Sequence, residues 1–124
     1  MRHALTHREL DVMSVIWARC SATVAEVRDG LTDDLAYPTV LTILRTLESK
    51  RHVRHTTDGK AFRYFARTQS ADAGSSVLAR VLDKVYQGSR ELLVAGLLDD
   101  AAIQAEELMR LRALVDARLR EVDA

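Results

Sequence analysis

Cysteine and proline each occur once in this 124-residue chain, and aromatic residues make up only 5% of it. A single thiol, Cys20, closes no internal disulfide, and no partners stand near it at zinc-ligand spacing. Cys20 falls in the apolar pattern of the first helical segment and reads as a small buried hydrophobe. No apolar run approaches the ~18 residues of a membrane span. The longest lies near Leu92 to Leu98. Met1-Arg2-His3 leads into polar residues rather than into the apolar centre of a signal peptide. A cytoplasmic protein with no direct membrane insertion is therefore expected. Catalytic signatures are missing as well: no Ser/His/Asp set, paired-carboxylate pocket or glycine-rich phosphate loop stands out. No metal site or cofactor is expected, and the chain does not read as an enzyme. His3 and His7 are four apart but straddle a helix start. His52 and His55 flank a strand start and read as phosphate-facing or solvated.

What is present is an apolar fraction of 48%, sufficient for a core, and a formal net charge of zero that is unevenly spread. Residues 1–68 carry 11 Lys/Arg against 8 Asp/Glu, and residues 69–124 carry 7 against 10. Within 45–67 the positive charges are Arg45, Lys50, Arg51, Arg54, Lys60, Arg63 and Arg67, opposed by Glu48 and Asp58 alone. A basic head on an acidic arm suits a phosphate-facing head.

The pattern along the chain predicts mainly helix with a small β-hairpin. Thr6-His7-Arg8-Glu9 is a capping box, in which hydroxyl and carboxylate satisfy amides at a helix start. The helix that follows places Leu10, Met13, Ile16, Trp17 and Cys20 on one face and runs to about Arg19. Thr23-Val24-Ala25-Glu26 is a second box. Val24, Val27 and Leu31 then mark a short helix closed by Thr32-Asp33-Asp34. A third helix begins near Pro38, a first-turn residue because its missing N–H would be unpaired there anyway. Val40, Ile43, Leu44 and Leu47 lie within about 100° of one another. The opposite face carries Thr42, Arg45 and Ser49, flanked by Thr39 and Thr46 on one side and an exposed Leu41 on the other. Strands Val53 to Thr57 and Ala61 to Ala66 follow, turned at Asp58-Gly59.

Beyond Ser70 the character changes. Val77, Leu78, Val81, Leu82 and Val85 predict a fourth helix, broken near Gly88-Ser89. Asp99-Asp100 is placed as the cap of a last helix bearing Leu108, Leu111, Val115 and Leu119. One small head cannot cover so much apolar helix, and intertwining with a second copy is the simplest remedy. The expected organisation is a winged helix-turn-helix head over 1–68 and a helical dimerisation region over 69–124.

The third helix and the hairpin suit double-stranded DNA. The major groove admits one α-helix, and base edges there present a readable pattern of donors and acceptors. Thr39, Thr42, Thr46 and Ser49 are short enough to keep the backbone close to the bases. Arg45 can reach a guanine or a phosphate, and Leu41 can meet a thymine methyl. Arg54, Lys60 and Arg63 on the hairpin suit phosphates, which position without specifying. Thr23 opens a helix whose amides can face a phosphate. The alternative is a winged-helix protein-interaction module without specific DNA binding, which the near-neutral charge would suit.

Leu5 to Trp17, Thr23-Val-Ala-Glu-Val27, Ala36-Tyr-Pro-Thr-Val-Leu-Thr-Ile-Leu-Arg-Thr-Leu47 and Phe62-Arg-Tyr64 together resemble the BlaI/MecI/CopY family of bacterial repressors, in order over about residues 4 to 120. The resemblance implies a homodimeric winged-helix repressor of palindromic TACA/TGTA operators. It implies that Thr39, Leu41 and Thr42 face bases, with Lys60 and Arg63 on the wing. Leu41 stands where some relatives carry a basic residue. The copper-responsive branch carries paired Cys-x-Cys motifs near its C-terminus, and this chain has none. The β-lactam branch implies a membrane-bound sensor protease that triggers cleavage at an Asn-Phe bond. The matching induction site here is Gly96-Leu97, in a segment read as a loop.

Overall fold

The computed structural model describes residues 5–124, so His3 of the His3/His7 pair lies outside the described residues. Helix α1 (His7–Arg19), strand β1 (Ser21–Thr23), helices α2 (Val24–Gly30) and α3 (Tyr37–Ser49) and strands β2 (Val53–Asp58) and β3 (Ala61–Ala66) come first, in that order. Helices α4 (Ser70–Lys84), α5 (Arg90–Leu98) and α6 (Ala105–Asp123) follow. The strands form an antiparallel sheet in the order β1-β3-β2. Three helices, a small sheet and a protruding β2–β3 hairpin make a winged helix-turn-helix.

Both capping boxes form as the sequence dictates. Thr6 Oγ1 accepts from the Glu9 amide while Glu9 Oε1 accepts from the Thr6 amide, and Thr23 and Glu26 repeat the arrangement. The helix stripes converge on one core: Val12, Met13 and Ile16 from α1, Val27 from α2, Val40, Leu44 and Leu47 from α3, with Val53 and Tyr64 from the sheet. Glu9 is buried at the edge of this core, where Lys50 Nζ reaches both its carboxylate oxygens at 2.9 Å. Burial pushes the Glu9 carboxyl up, but the Thr6 amide and the Lys50 ammonium outweigh it, and the net shift is downward. This pair ties the end of α3 to the start of α1.

Several sequence expectations need correction. Cys20 is exposed rather than buried, because α1 stops at Arg19 and Cys20 turns out of the stripe with φ +73°. His52 is buried, its Nδ1 2.7 Å from Thr68 Oγ1, and its carbonyl accepts from the amides of Arg67 and Thr68. It closes the base of the hairpin and is turned into the protein rather than toward solvent. The hairpin loop is Gly59-Lys60, not Asp58-Gly59, since Asp58 still pairs with Ala61. Gly59 has φ +64°, which suits glycine at the first loop position of a type II′ turn. Strand β1 went unread because three residues carry too little period; its buried Ala22 faces Tyr64.

The chain divides into two compact units between Arg80 and Val81. The first takes in most of α4, whose Ala73 is buried in the core. In the second, Asp99 ends α5 instead of starting α6, and Gln104 occupies the N-cap of α6 without a side-chain cap. Asp100 caps only the intervening turn, accepting from the Ala102 amide. Gly96-Leu97 lies in the last turn of α5 rather than in a loop. A Cβ on Gly96 would stand 2.9 Å from the Tyr86 hydroxyl, so glycine there lets Tyr86 pack against the helix.

Candidate nucleic-acid interface

Helix α3 starts from Ala36 with Pro38 in its first turn and places Val40, Leu44 and Leu47 inward. The 3.6-residue repeat then turns Thr39, Thr42, Arg45, Thr46 and Ser49 outward, and all five are exposed. Thr42 donates its hydroxyl to the Pro38 carbonyl and Thr46 donates to the Thr42 carbonyl, each at 3.0 Å. Their protons are thereby engaged within the helix, and a methyl group and oxygen lone pairs are what each has left for a partner. Arg45 forms no ion pair among the described residues. Leu41 departs from the expected exposure: it is half-buried and packs against the core cluster.

The hairpin splits its cations between two situations. Lys60 is exposed at the turn and has no ion pair among the described residues. Arg54 is exposed on the outer face, its guanidinium 4.5 Å from the centre of the Phe65 ring. Arg63 is occupied. It donates to Asp58 at 2.9 Å, to Glu26 at 3.1 Å and to Ser21 at 3.2 Å. The hydrogen bond to Asp58, then Glu26, raises the Arg63 pKa. The Thr23 amide's hydrogen bond, with Arg63 and Arg19 nearby, lowers that of Glu26. Arg63 thus ties the hairpin to the start of α2 and is not free at the tip. Thr23 is committed too, since its amide and hydroxyl both serve the capping box.

Sequence reasoning missed the inner face of the hairpin. His55 Nδ1 lies 2.6 and 2.8 Å from the two carboxylate oxygens of Glu48 on α3. The His55 ring stacks on Phe62 with centroids 4.3 Å apart and leans on buried Tyr64 at 5.6 Å. Strand alternation could have found the face, because His55, Phe62 and Tyr64 share it by register.

The residues assigned to dimerisation are widely exposed. Leu78 is 54% exposed, Val115 58% and Leu119 55%; Val85 and Leu108 are exposed, and Val77, Val81, Leu82 and Leu111 are half-buried. Neither α5 nor α6 has a buried residue. No described helix is long and apolar enough to cross a membrane.

Comparison with known proteins agrees with this architecture. A family model described as penicillinase repressor matches residues 5–117. The methicillin resistance regulatory protein MecI of Staphylococcus aureus is 21% identical over 118 residues, covering 94% of this chain and 96% of that protein. The solution structure of the DNA binding domain of the repressor BlaI is 30% identical with a TM-score of 0.52, covering 58% of this chain and 93% of that one. The Bacillus licheniformis BlaI monomeric form in complex with the blaP half-operator is also 30% identical, with a TM-score of 0.50, covering 58% and 90%. The chain belongs to the penicillinase repressor family, whose members are transcriptional repressors and not enzymes.

Proposed function

We propose that this protein is a dimeric, cytoplasmic transcriptional repressor that binds an inverted-repeat operator of the TACA/TGTA type and excludes polymerase by occupying it. The observation that carries the reading is the outer face of α3. It presents four short hydroxyl side chains and one arginine without an ion pair among the described residues, beside a hairpin whose tip holds Lys60. A solvated helix face would ordinarily carry Glu and Lys. The similarity to a BlaI form bound to a half-operator supports the same assignment. Thr39, Thr42, Arg45, Thr46 and Ser49 would read bases, with the Thr42 and Thr46 methyls suited to thymine methyls. Lys60 and Arg54 would hold phosphates, and Arg63 would support the hairpin. Leu41 would contribute less than its neighbours, since part of its surface is already in the core.

The exposed apolar face of α6, with Leu108, Val115 and Leu119, is the part a second copy would cover. Two reading helices in one dimer would enter successive major grooves about one helical turn apart. If a membrane-bound sensor protease relieves repression at Gly96-Leu97, the last turn of α5 must first unwind, because that bond lies in helix. The test of the reading is quantitative binding to an inverted-repeat duplex and to a scrambled duplex. Preference for the repeat supports it, and equal binding to both contradicts it.

A further inference from the structure

The distal half of a two-stranded ribbon has little to hold its direction, because an isolated hairpin is marginally stable in water. Strand β1 pairs with β3 only over Arg63 to Phe65, so among the described residues no third strand flanks the hairpin from Thr57 and Phe62 to the turn. Two side-chain attachments stand at the border of that stretch, at Arg63 and His55, and each touches it: Arg63 binds Asp58 and the His55 ring stacks on Phe62. On the outer face Arg63 reaches Glu26 of α2. On the inner face His55 reaches Glu48 of α3, the reading helix itself.

The geometry of the second attachment is restrictive. Both Glu48 oxygens lie within 2.8 Å of one imidazole nitrogen, so with Glu48 ionised Nδ1 must carry the proton and donate. The ring is fixed against Phe62 and Tyr64, which leaves little freedom to swing. Glu48 sits in the last turn of α3, one residue before its end. Its charge would otherwise be an unpaired anion beside a surface read as phosphate-facing.

We propose that Glu48 and His55 are positioning residues for DNA binding: their hydrogen bond latches the wing to the end of the reading helix and fixes where Lys60 and Arg54 stand relative to it. The latch rests on the DNA-binding reading above and adds to it a coupling between helix and wing. Without it the wing cations are tethered but no longer aimed, and they lose phosphate contact while the reading face survives.

The test is operator binding across a salt series for the full chain, with four variants and their thermal melting curves. His55→Ala lowers operator affinity roughly tenfold and flattens the salt slope by about two to four, the loss of one or two phosphate contacts in each half of the dimer. His55→Asn places an amide N–H near the position of Nδ1 and restores most of the affinity. Lys60→Ala costs about fivefold in the wild-type background, a share of the phosphate term, and less than about twofold in the His55→Ala background. Equal costs of Lys60→Ala in both backgrounds overturn the latch, as does a His55→Ala protein that binds like wild type. A wild-type chain that binds no operator overturns the functional reading and the latch with it.

Discussion

Leu41 and Thr42 are neighbours in sequence, yet the first leans into the core and the second faces solvent. Successive helix residues are separated by about 100°, so the edge of the apolar stripe falls between them. The proposed reading surface is therefore narrower than a hydropathy pattern suggests, and it centres on Thr42 and Arg45. Replacing both by alanine should abolish preference for the operator while leaving weak, salt-sensitive binding. Arg45→Ala alone should cost about 1–3 kcal/mol of discrimination at one base pair, measurable by competition with single-base operator variants. Glu9 is the other decisive residue. Its carboxyl is held below its ordinary value of 4.5, so the unfolded chain binds its proton first as pH falls. The Glu9–Lys50 pair therefore stabilises the fold fully above that value and progressively less below it. Glu9→Gln should lower stability near neutral pH and flatten its loss on acidification, as read from urea unfolding between pH 3 and 7.

Among the elements, the three head helices were legible because their stripes and caps agree. Thr6, Glu9, Thr23 and Glu26 announce helix starts by chemistry that depends only on neighbours four residues apart or fewer. What depends on contacts distant in sequence was not legible. Strand β1 exists because Ser21 to Thr23 meet β3 some forty residues later. Arg63 looked like a free wing cation until Glu26 and Ser21 were brought to it. His52 looked solvated until Thr68 closed over it. Cys20 shows the converse: the periodic stripe runs one residue past the end of the helix, which stops at Arg19. The turn is a local device that can be tested by itself. A Cβ on Gly59 would meet nothing within 4 Å, so Gly59→Ala should act through its φ of +64° alone. It should cost about 1 kcal/mol, without changing the shape of the unfolding transition.

At the scale of the whole molecule, the exposed apolar side chains of α6 are what the proposed second copy would cover. Met109 is 68% exposed, and Val115 and Leu119 exceed half. Val115→Asp combined with Leu119→Asp should convert a dimer to a monomer in sedimentation, with the head still folded by its near-ultraviolet signal. Operator affinity should fall on the order of 100-fold or more, because two linked heads gain from effective concentration what one head cannot. The basic head and acidic arm cancel to a formal net charge of zero. Only the distribution of charge, not its total, is compatible with the role assigned. The central claim is that this chain reads one DNA sequence in preference to others through α3. The measurement that meets it most directly is the dissociation constant for a TACA/TGTA inverted-repeat duplex against a scrambled duplex over a salt series. The account predicts tight binding to the repeat, weak binding to the scramble, and a slope corresponding to roughly 6–10 phosphate contacts per dimer. Equal affinity for the two duplexes at every salt concentration, or no binding to either, would contradict it.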